Sequence, residues 1–290
     1  MQRRVIILLG QRERSGTNFI GSTVMQHPDV VTVPPNKSLG EFNLFRKDDI
    51  VRVVFKKVAG ASFGIKTMLE EEQLFLQHYG SMWIDLLDQK FNFPPNKTIF
   101  IKSPLIYNVD LWKKAFPESK IAILYRDGRD NVISCVRTTN DIRKWYTFRT
   151  KIKKKINFLS GRSFISNSRA WSRTGEAVAA VNESEFLKKV KYEELVNSKE
   201  GISELLKFYD LSFDDTTLEN CMSAPVVGSS SFRGQKKEKN KKPNWTPDYD
   251  KSKYNFTNKW NKWGPVKKFV FKILAGKTLI TLGYEDNGTW

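Results

Sequence analysis

The sequence predicts an α/β protein, three-layer α/β/α, with a central mostly parallel sheet covered by helices on both faces. Short apolar, β-branched runs alternate with segments of helical periodicity along most of the chain. The first run, Val5 to Leu9, passes through a glycine-containing loop directly into a helical pattern. At 290 residues, with 40% hydrophobic and 13% aromatic content, the chain can bury one large core, and a single domain over 1–290 is expected.

Arg4 to Leu9 reads as the first strand, ending at Gly10, and Gly16 to Met25 as a helix with Phe19, Ile20, Thr23 and Val24 at helical spacing. Between Phe42 and Phe93 the pattern is mostly helical, in stretches around Ile50 to Val54 and Leu74 to Leu87. A second strand is expected at Thr98 to Ile101. A third, Lys120 to Tyr125, runs into a helix from Gly128 to Arg137 whose apolar face is Val132, Ile133 and Val136. Helical patterns fill much of Asp141 to Val181, followed by a fourth strand, Phe186 to Lys191, and a helix, Lys199 to Tyr209. Residues 223–258 hold prolines, glycines, a serine triplet and a lysine cluster, which predict a long functional loop inside the domain. The tail, Val266 to Leu282, returns to helix.

The net charge of +18 predicts attraction to polyanions: nucleic acid, anionic membrane, acidic glycans or a multiply phosphorylated cofactor. The lysine runs 151–155 and 236–242 read as solvated faces or loops. No stretch approaches the roughly 20 apolar residues of a membrane span, and Val5 to Leu9 is too short for a signal peptide. Two cysteines and two histidines make neither a disulfide framework nor a zinc site, so a cytoplasmic, metal-independent protein is expected.

A strand, a glycine turn and a helix N-terminus form an anion site, because free backbone N–H groups and the helix dipole converge there. Here the loop runs Gly10-Gln-Arg-Glu-Arg-Ser-Gly-Thr-Asn18. It departs from the usual nucleotide-triphosphate loop: five residues separate the glycines, and no lysine stands between Gly16 and Thr17. Arg14 supplies the cation instead. The strand Ile121 to Tyr125 ends in Arg126 where a magnesium-binding carboxylate would stand in an ordinary NTPase. An arginine at the carboxyl end of a strand suits a second phosphate, and in the next helix Asp130, Ser134 and Arg137 share one stripe. The combination fits a cofactor phosphorylated at both its 5′ and 3′ positions.

These residues resemble those of sulfotransferases that use 3′-phosphoadenosine 5′-phosphosulfate and release 3′-phosphoadenosine 5′-phosphate. Arg14-Ser-Gly-Thr17 resembles the family's 5′-phosphosulfate loop, and Arg126 to Ser134 its 3′-phosphate segment, arginine-to-serine spacing included. The resemblance implies a P-loop-NTPase-like sulfotransferase fold. His27-Pro-Asp-Val30 followed by Glu41 resembles the tyrosylprotein, carbohydrate and bacterial members, in which a glutamate after the first helix is the base. Lys102 resembles the lysine of their Lys-Asp-Pro. Tyr192-Glu-Glu-Leu-Val196 resembles the segment whose tyrosine lies by the adenine, and Gly228-Ser-Ser230 a loop closing over the cofactor. Trp260, Trp263 and Gly283-Tyr284 resemble the family's ending.

Carried over residue by residue, the resemblance implies Glu41 as base, Arg14 and Lys102 stabilising the transferring group, and Ser230 as a catalytic serine. It implies Arg14, Ser15, Gly16, Thr17, Asn18, Arg126, Ser134, Arg137, Tyr192, Ser229 and Arg233 around the cofactor. Two departures bear on subtype. The histidine base of cytosolic sulfotransferases is absent, since Lys102 is followed by Ser103 and Pro104. The tyrosylprotein arginine four residues after the serine is here Thr138, with Arg137 one place earlier. A hydroxyl-bearing acceptor is implied, carbohydrate first, with tyrosine or a small molecule open; the basic surface suits an acidic glycan or peptide. A basic nucleic-acid-binding protein, a P-loop-like kinase with a degenerate loop, and an inactive member of the fold remain as alternatives, although no specific nucleic-acid signature is present.

Overall fold

The computed structural model describes residues 3–33, 39–45, 50–61, 70–140, 147–196, 198–228, 247–254 and 256–290. The sheet is built from β1 (Val5–Gly10), β2 (Val30–Thr32), β3 (Thr98–Ser103), β4 (Lys120–Tyr125) and β5 (Leu187–Lys191), in the spatial order β2-β3-β1-β4-β5. All its pairings are parallel. All four expected strands begin and end within two residues of expectation. The addition is β2, whose three residues are too few to show a period and which is defined by pairing Val30 to Thr98 and Thr32 to Phe100.

Strict alternation along the central strands produces the three layers. Val5, Ile7 and Leu9 of β1, Ile99 and Ile101 of β3, and Ile121 and Ile123 of β4 enter one core. The helices over that face are α3 (Glu72–Phe91), α4 (Val109–Ala115), α5 (Gly128–Thr139), α7 (Arg162–Ala179) and α11 (Pro265–Thr281), contributing Leu76, Trp112, Val132, Trp171 and Phe271. Ile6, Leu8, Phe100, Ala122 and Leu124 point the other way, against α1 (Thr17–Val24), α8 (Tyr192–Leu195), α9 (Lys199–Phe208) and α10 (Asp215–Met222). Each fully buried Ile or Leu contributes roughly 1.5–3 kcal/mol, which explains why the central strands read as uninterrupted apolar runs. Helix α10 adds a stretch of low apolar content to the expected elements. Asp214 starts it by accepting from the Thr217 N–H.

Two further helices, α2 (Ile50–Ala61) and α6 (Phe148–Leu159), sit at the periphery. Chain direction reverses its lateral course at β1: β2 and β3 lie on one side of it, β4 and β5 on the other. The carboxyl ends of β3, β1 and β4 therefore open onto one crevice, the position at which open α/β sheets bind ligands.

Candidate active site

The loop after β1 makes a tight return, with Arg14 and Gly16 both left-handed at φ 70° and 107°. The Ser15 hydroxyl donates to the Arg12 carbonyl (2.8 Å) and accepts from the Arg12 N–H (3.2 Å), so this fully buried serine fixes the turn from inside. Gly16 caps α1 with no side-chain acceptor, leaving the helix's first N–H groups aimed into the crevice. A Cβ on Gly16 would stand 2.3 Å from the Tyr192 ring. Gly16→Ala should therefore lower stability by about 2 kcal/mol or more, from the left-handed backbone and the ring clash together. Urea midpoints measure this; an unchanged midpoint would mean that Tyr192 does not close this loop.

Two groups of side chains meet at the crevice. In the first, Lys102 at the end of β3 is fully buried, and its ammonium donates to Asn18 Oδ1 (2.9 Å) and to Glu41 Oε2 (3.1 Å). Alternation along β3 puts Lys102 on the α1 face with Phe100, which is why it reaches Asn18. Glu41 arrives because residues 40–42 return along the strand end: the Lys102 N–H donates to Gly40 O and the Phe42 N–H to Lys102 O. Burial pulls the Lys102 ammonium below the ordinary lysine value, and the Glu41 carboxylate opposes this. Glu41 itself keeps 36% of its side-chain surface exposed, so one face of the carboxylate is open to a substrate.

The second group surrounds Arg126, one residue beyond β4. Its guanidinium carbon lies 4.4 Å from the centroid of the Tyr192 ring, and its terminal nitrogens donate to the carbonyls of Arg14 (3.2 Å) and Phe256. Arg14 Nε donates to Ser134 Oγ (3.1 Å), and its Nη1 to the Gly228 carbonyl (3.3 Å). Asp130, buried in the first turn of α5, accepts the backbone N–H of Lys259 (2.8 Å). This positions the 3₁₀ turn Lys259–Lys262 over the cluster. Burial lowers Arg14 and raises the Asp130 carboxyl; it lifts the Tyr192 phenol to about 12. The Lys259 ammonium falls to about 7, first from burial and then from the neighbouring charge of Arg126, with Arg137 and Arg14 adding to it.

The expected site residues are mostly brought together, but not as one set. Arg14 sits with Ser134 and Arg126 rather than beside Lys102. The link between the groups is Gly228, whose carbonyl holds Arg14 and whose Cα is so close to Asn18 that a Cβ would lie 2.6 Å from Asn18 Nδ2. Arg126 and Asp130 are both buried, so they are not a surface ion pair. Tyr192 is buried against Arg126 and edge-on to Phe19 (5.9 Å between centroids). Arg137 is exposed in the last turn of α5. Ser229, Ser230 and Arg233 lie outside the described residues. Gly228 was expected in the loop over the cofactor, but Lys259 and the Phe256 carbonyl were not legible, because nothing in sequence signals a contact between positions 130 and 259.

The arrangement offers a pocket for a polyanion. The buried Nε of Arg126 finds no hydrogen-bond partner among the described residues, and the charges of Arg126, Arg137 and Arg14 push the Lys259 ammonium down, an effect the neighbouring Asp130 carboxyl opposes. An anionic phosphate at that point removes both costs. Among the described residues no cluster of three His, Cys, Asp or Glu side chains is placed to hold a metal ion.

The family model described as "Sulfotransferase family" matches residues 6–215, a span that contains both groups except for Gly228, Phe256 and Lys259. The sequence matches no curated protein. Among solved structures, the chain is similar to the sulfotransferase domain from the curacin biosynthetic pathway, at 15% identity and TM-score 0.53, covering 98% of this chain and 99% of that one. It is similar to the sulfotransferase domain of the Synechococcus PCC 7002 olefin synthase at 14% identity and TM-score 0.51, with 95% and 94% coverage. Mouse sulfotransferase SULT7A1, solved in complex with PAP, aligns at 15% identity and TM-score 0.50, with 99% and 86% coverage. At such identities the structural likenesses speak for the fold; the family match over most of the chain, together with the crevice built by its two motifs, makes this chain a member of the sulfotransferase family.

Proposed function

We propose that the chain transfers the sulfuryl group of 3′-phosphoadenosine 5′-phosphosulfate to a hydroxyl acceptor, with Glu41 as the base. The observation that carries this reading is the division of the crevice into a buried cationic group around Arg126 and a carboxylate–lysine pair beside the anion-binding loop. The bound donor supplies the sulfuryl group and a phosphate leaving group. Arg126, Ser134 and Lys259 would hold the 3′-phosphate, and the N–H groups at the start of α1, with Ser15, Gly16, Thr17 and Asn18, the 5′ end. Arg14, tethered between the groups, would contribute charge to both. Lys102 would oppose charge growing on the transferring oxygens, since a preorganised, buried cation costs no reorganisation at the moment of transfer. Glu41, with its open face, would take the proton of the acceptor hydroxyl. Among acceptors we favour a carbohydrate hydroxyl, on the +18 charge that suits acidic glycans. The serines at 229 and 230, and Arg233, would close the loop over the nucleotide, since Gly228 already reaches both Arg14 and Asn18.

Lys259 provides the test. With its ammonium at about 7, part of the population is neutral at physiological pH. A bound 3′-phosphate restores the charged form and raises that value, so binding takes up a proton. Affinity for 3′-phosphoadenosine 5′-phosphate is then greatest just below pH 7, where Lys259 is already charged. It weakens as pH rises toward the bound-state value, by at most about tenfold per pH unit. Calorimetry in buffers of different ionisation heats reads the proton directly. Lys259→Met should lose the proton uptake, and adenosine 5′-phosphate should never show it. A flat profile with buffer-independent heats would remove Lys259 from the phosphate site.

A further inference from the structure

Helix α6 is inside out. Over Phe148–Leu159 no residue is buried, and the side chains turned toward the protein are polar: Thr150, Lys154 and Asn157 are half-buried, with the Lys154 ammonium donating to the Thr139 carbonyl (2.8 Å). The opposite face is apolar and faces solvent. Phe148, Ile152, Ile156 and Leu159 recur at helical spacing as one stripe, with Phe148 77% and Leu159 72% exposed. Arg149 and Lys153 border the stripe on one side, and Lys151 and Lys155 on the other.

Helix α11 repeats the pattern on one side only. Its inner residues, Phe271, Ala275 and Leu279, are buried in the core, whereas Val266, Phe269 and Ile273 are 73%, 65% and 68% exposed. Phe164, in the first turn of α7, packs edge-on against Trp263 (5.1 Å between centroids), which brings the start of α11 beside the turn joining α6 to α7. Together α6 and α11 carry nine Lys or Arg and no Asp or Glu.

We propose that α6 and the start of α11 form a docking face for an anionic phospholipid bilayer. An apolar stripe bordered on both sides by long cationic side chains is what a helix lying in a membrane interface requires: the rings and branched chains enter the acyl boundary while the lysines extend to headgroup phosphates. The charge selects this occupant over a second copy of the chain, because a symmetric contact would bring two all-cationic faces together. No helix among the described residues is long and apolar enough to cross a membrane, so the contact is one of lying on the surface.

Flotation of the full chain with phosphatidylcholine vesicles, with and without phosphatidylserine, tests this. Binding is expected only to the phosphatidylserine vesicles and weakens with added salt. The charge-neutral double variant Ile152→Ser/Ile156→Ser should lose about tenfold in vesicle affinity. Because both side chains are exposed, its thermal midpoint and its affinity for 3′-phosphoadenosine 5′-phosphate stay at wild-type values, which separates loss of docking from loss of fold or of the nucleotide site. Three results overturn the proposal: no binding to phosphatidylserine vesicles, undiminished binding by the double variant, or self-association in sedimentation velocity that the double variant abolishes.

Discussion

Glu41→Gln is expected to lower sulfuryl-transfer turnover by about 10²- to 10⁴-fold while leaving nucleotide affinity within a few-fold of wild type. The asymmetry follows from placement. Glu41 contacts the buried Lys102 ammonium and none of Arg126, Ser134 or Lys259, and under the proposed function its open face meets the acceptor. Glutamine is the informative substitution because its amide oxygen still accepts from Lys102, so that buried ammonium keeps a partner; alanine would leave Lys102 with Asn18 alone and confuse a lost base with a disturbed site. Single-turnover rates with a hydroxyl acceptor, beside a calorimetric Kd for 3′-phosphoadenosine 5′-phosphate, separate the two quantities. A variant that turns over at the wild-type rate eliminates Glu41 as the base.

Arg126→Ala is expected to weaken binding of 3′-phosphoadenosine 5′-phosphate by about 2–5 kcal/mol, roughly 30-fold to several thousand-fold, the range for truncating one partner of a buried charge contact. Adenosine 5′-phosphate, which lacks the 3′ group, should lose far less. Part of the change is indirect, because Arg126 also donates to the Arg14 carbonyl and covers the Tyr192 ring. Arg126→Lys controls for this: it keeps a charge and loses the planar fork, so an intermediate affinity is expected. Titration of both nucleotides against the three proteins gives the comparison. Equal losses for the two nucleotides would show that Arg126 supports the loop rather than the 3′-phosphate.

Most of the architecture was legible because it rests on local signals. The central strands are long, apolar and bounded by turns, and the helices that cover them show their period within one or two turns. What escaped was short or polar: β2 is a strand only because Thr98 and Phe100 pair with it, and α10 is held by an Asp cap rather than by an apolar stripe. At the site, the loop and the Arg126-to-Ser134 spacing were legible, since each is a short motif with one physical task. The partition of those residues was not. Sequence alone gave no reason for Arg14 to bond Ser134 instead of standing beside Lys102, a choice set by its left-handed backbone and by the approach of α5.

By itself the sequence determined the α/β class, the strand and loop that present N–H groups to an anion, and the replacement of metal-binding carboxylate and loop lysine by arginines. Those properties are written in adjacent residues, where periodicity, glycine and charge act over a few positions. Only the tertiary structure decided that Lys259 joins Arg126 through Asp130, that Glu41 meets Lys102, and that α6 turns its apolar stripe to solvent. Each of these depends on desolvation and charge at points where segments distant in the chain are packed together, and those energies exist only once the sheet has set the segments side by side.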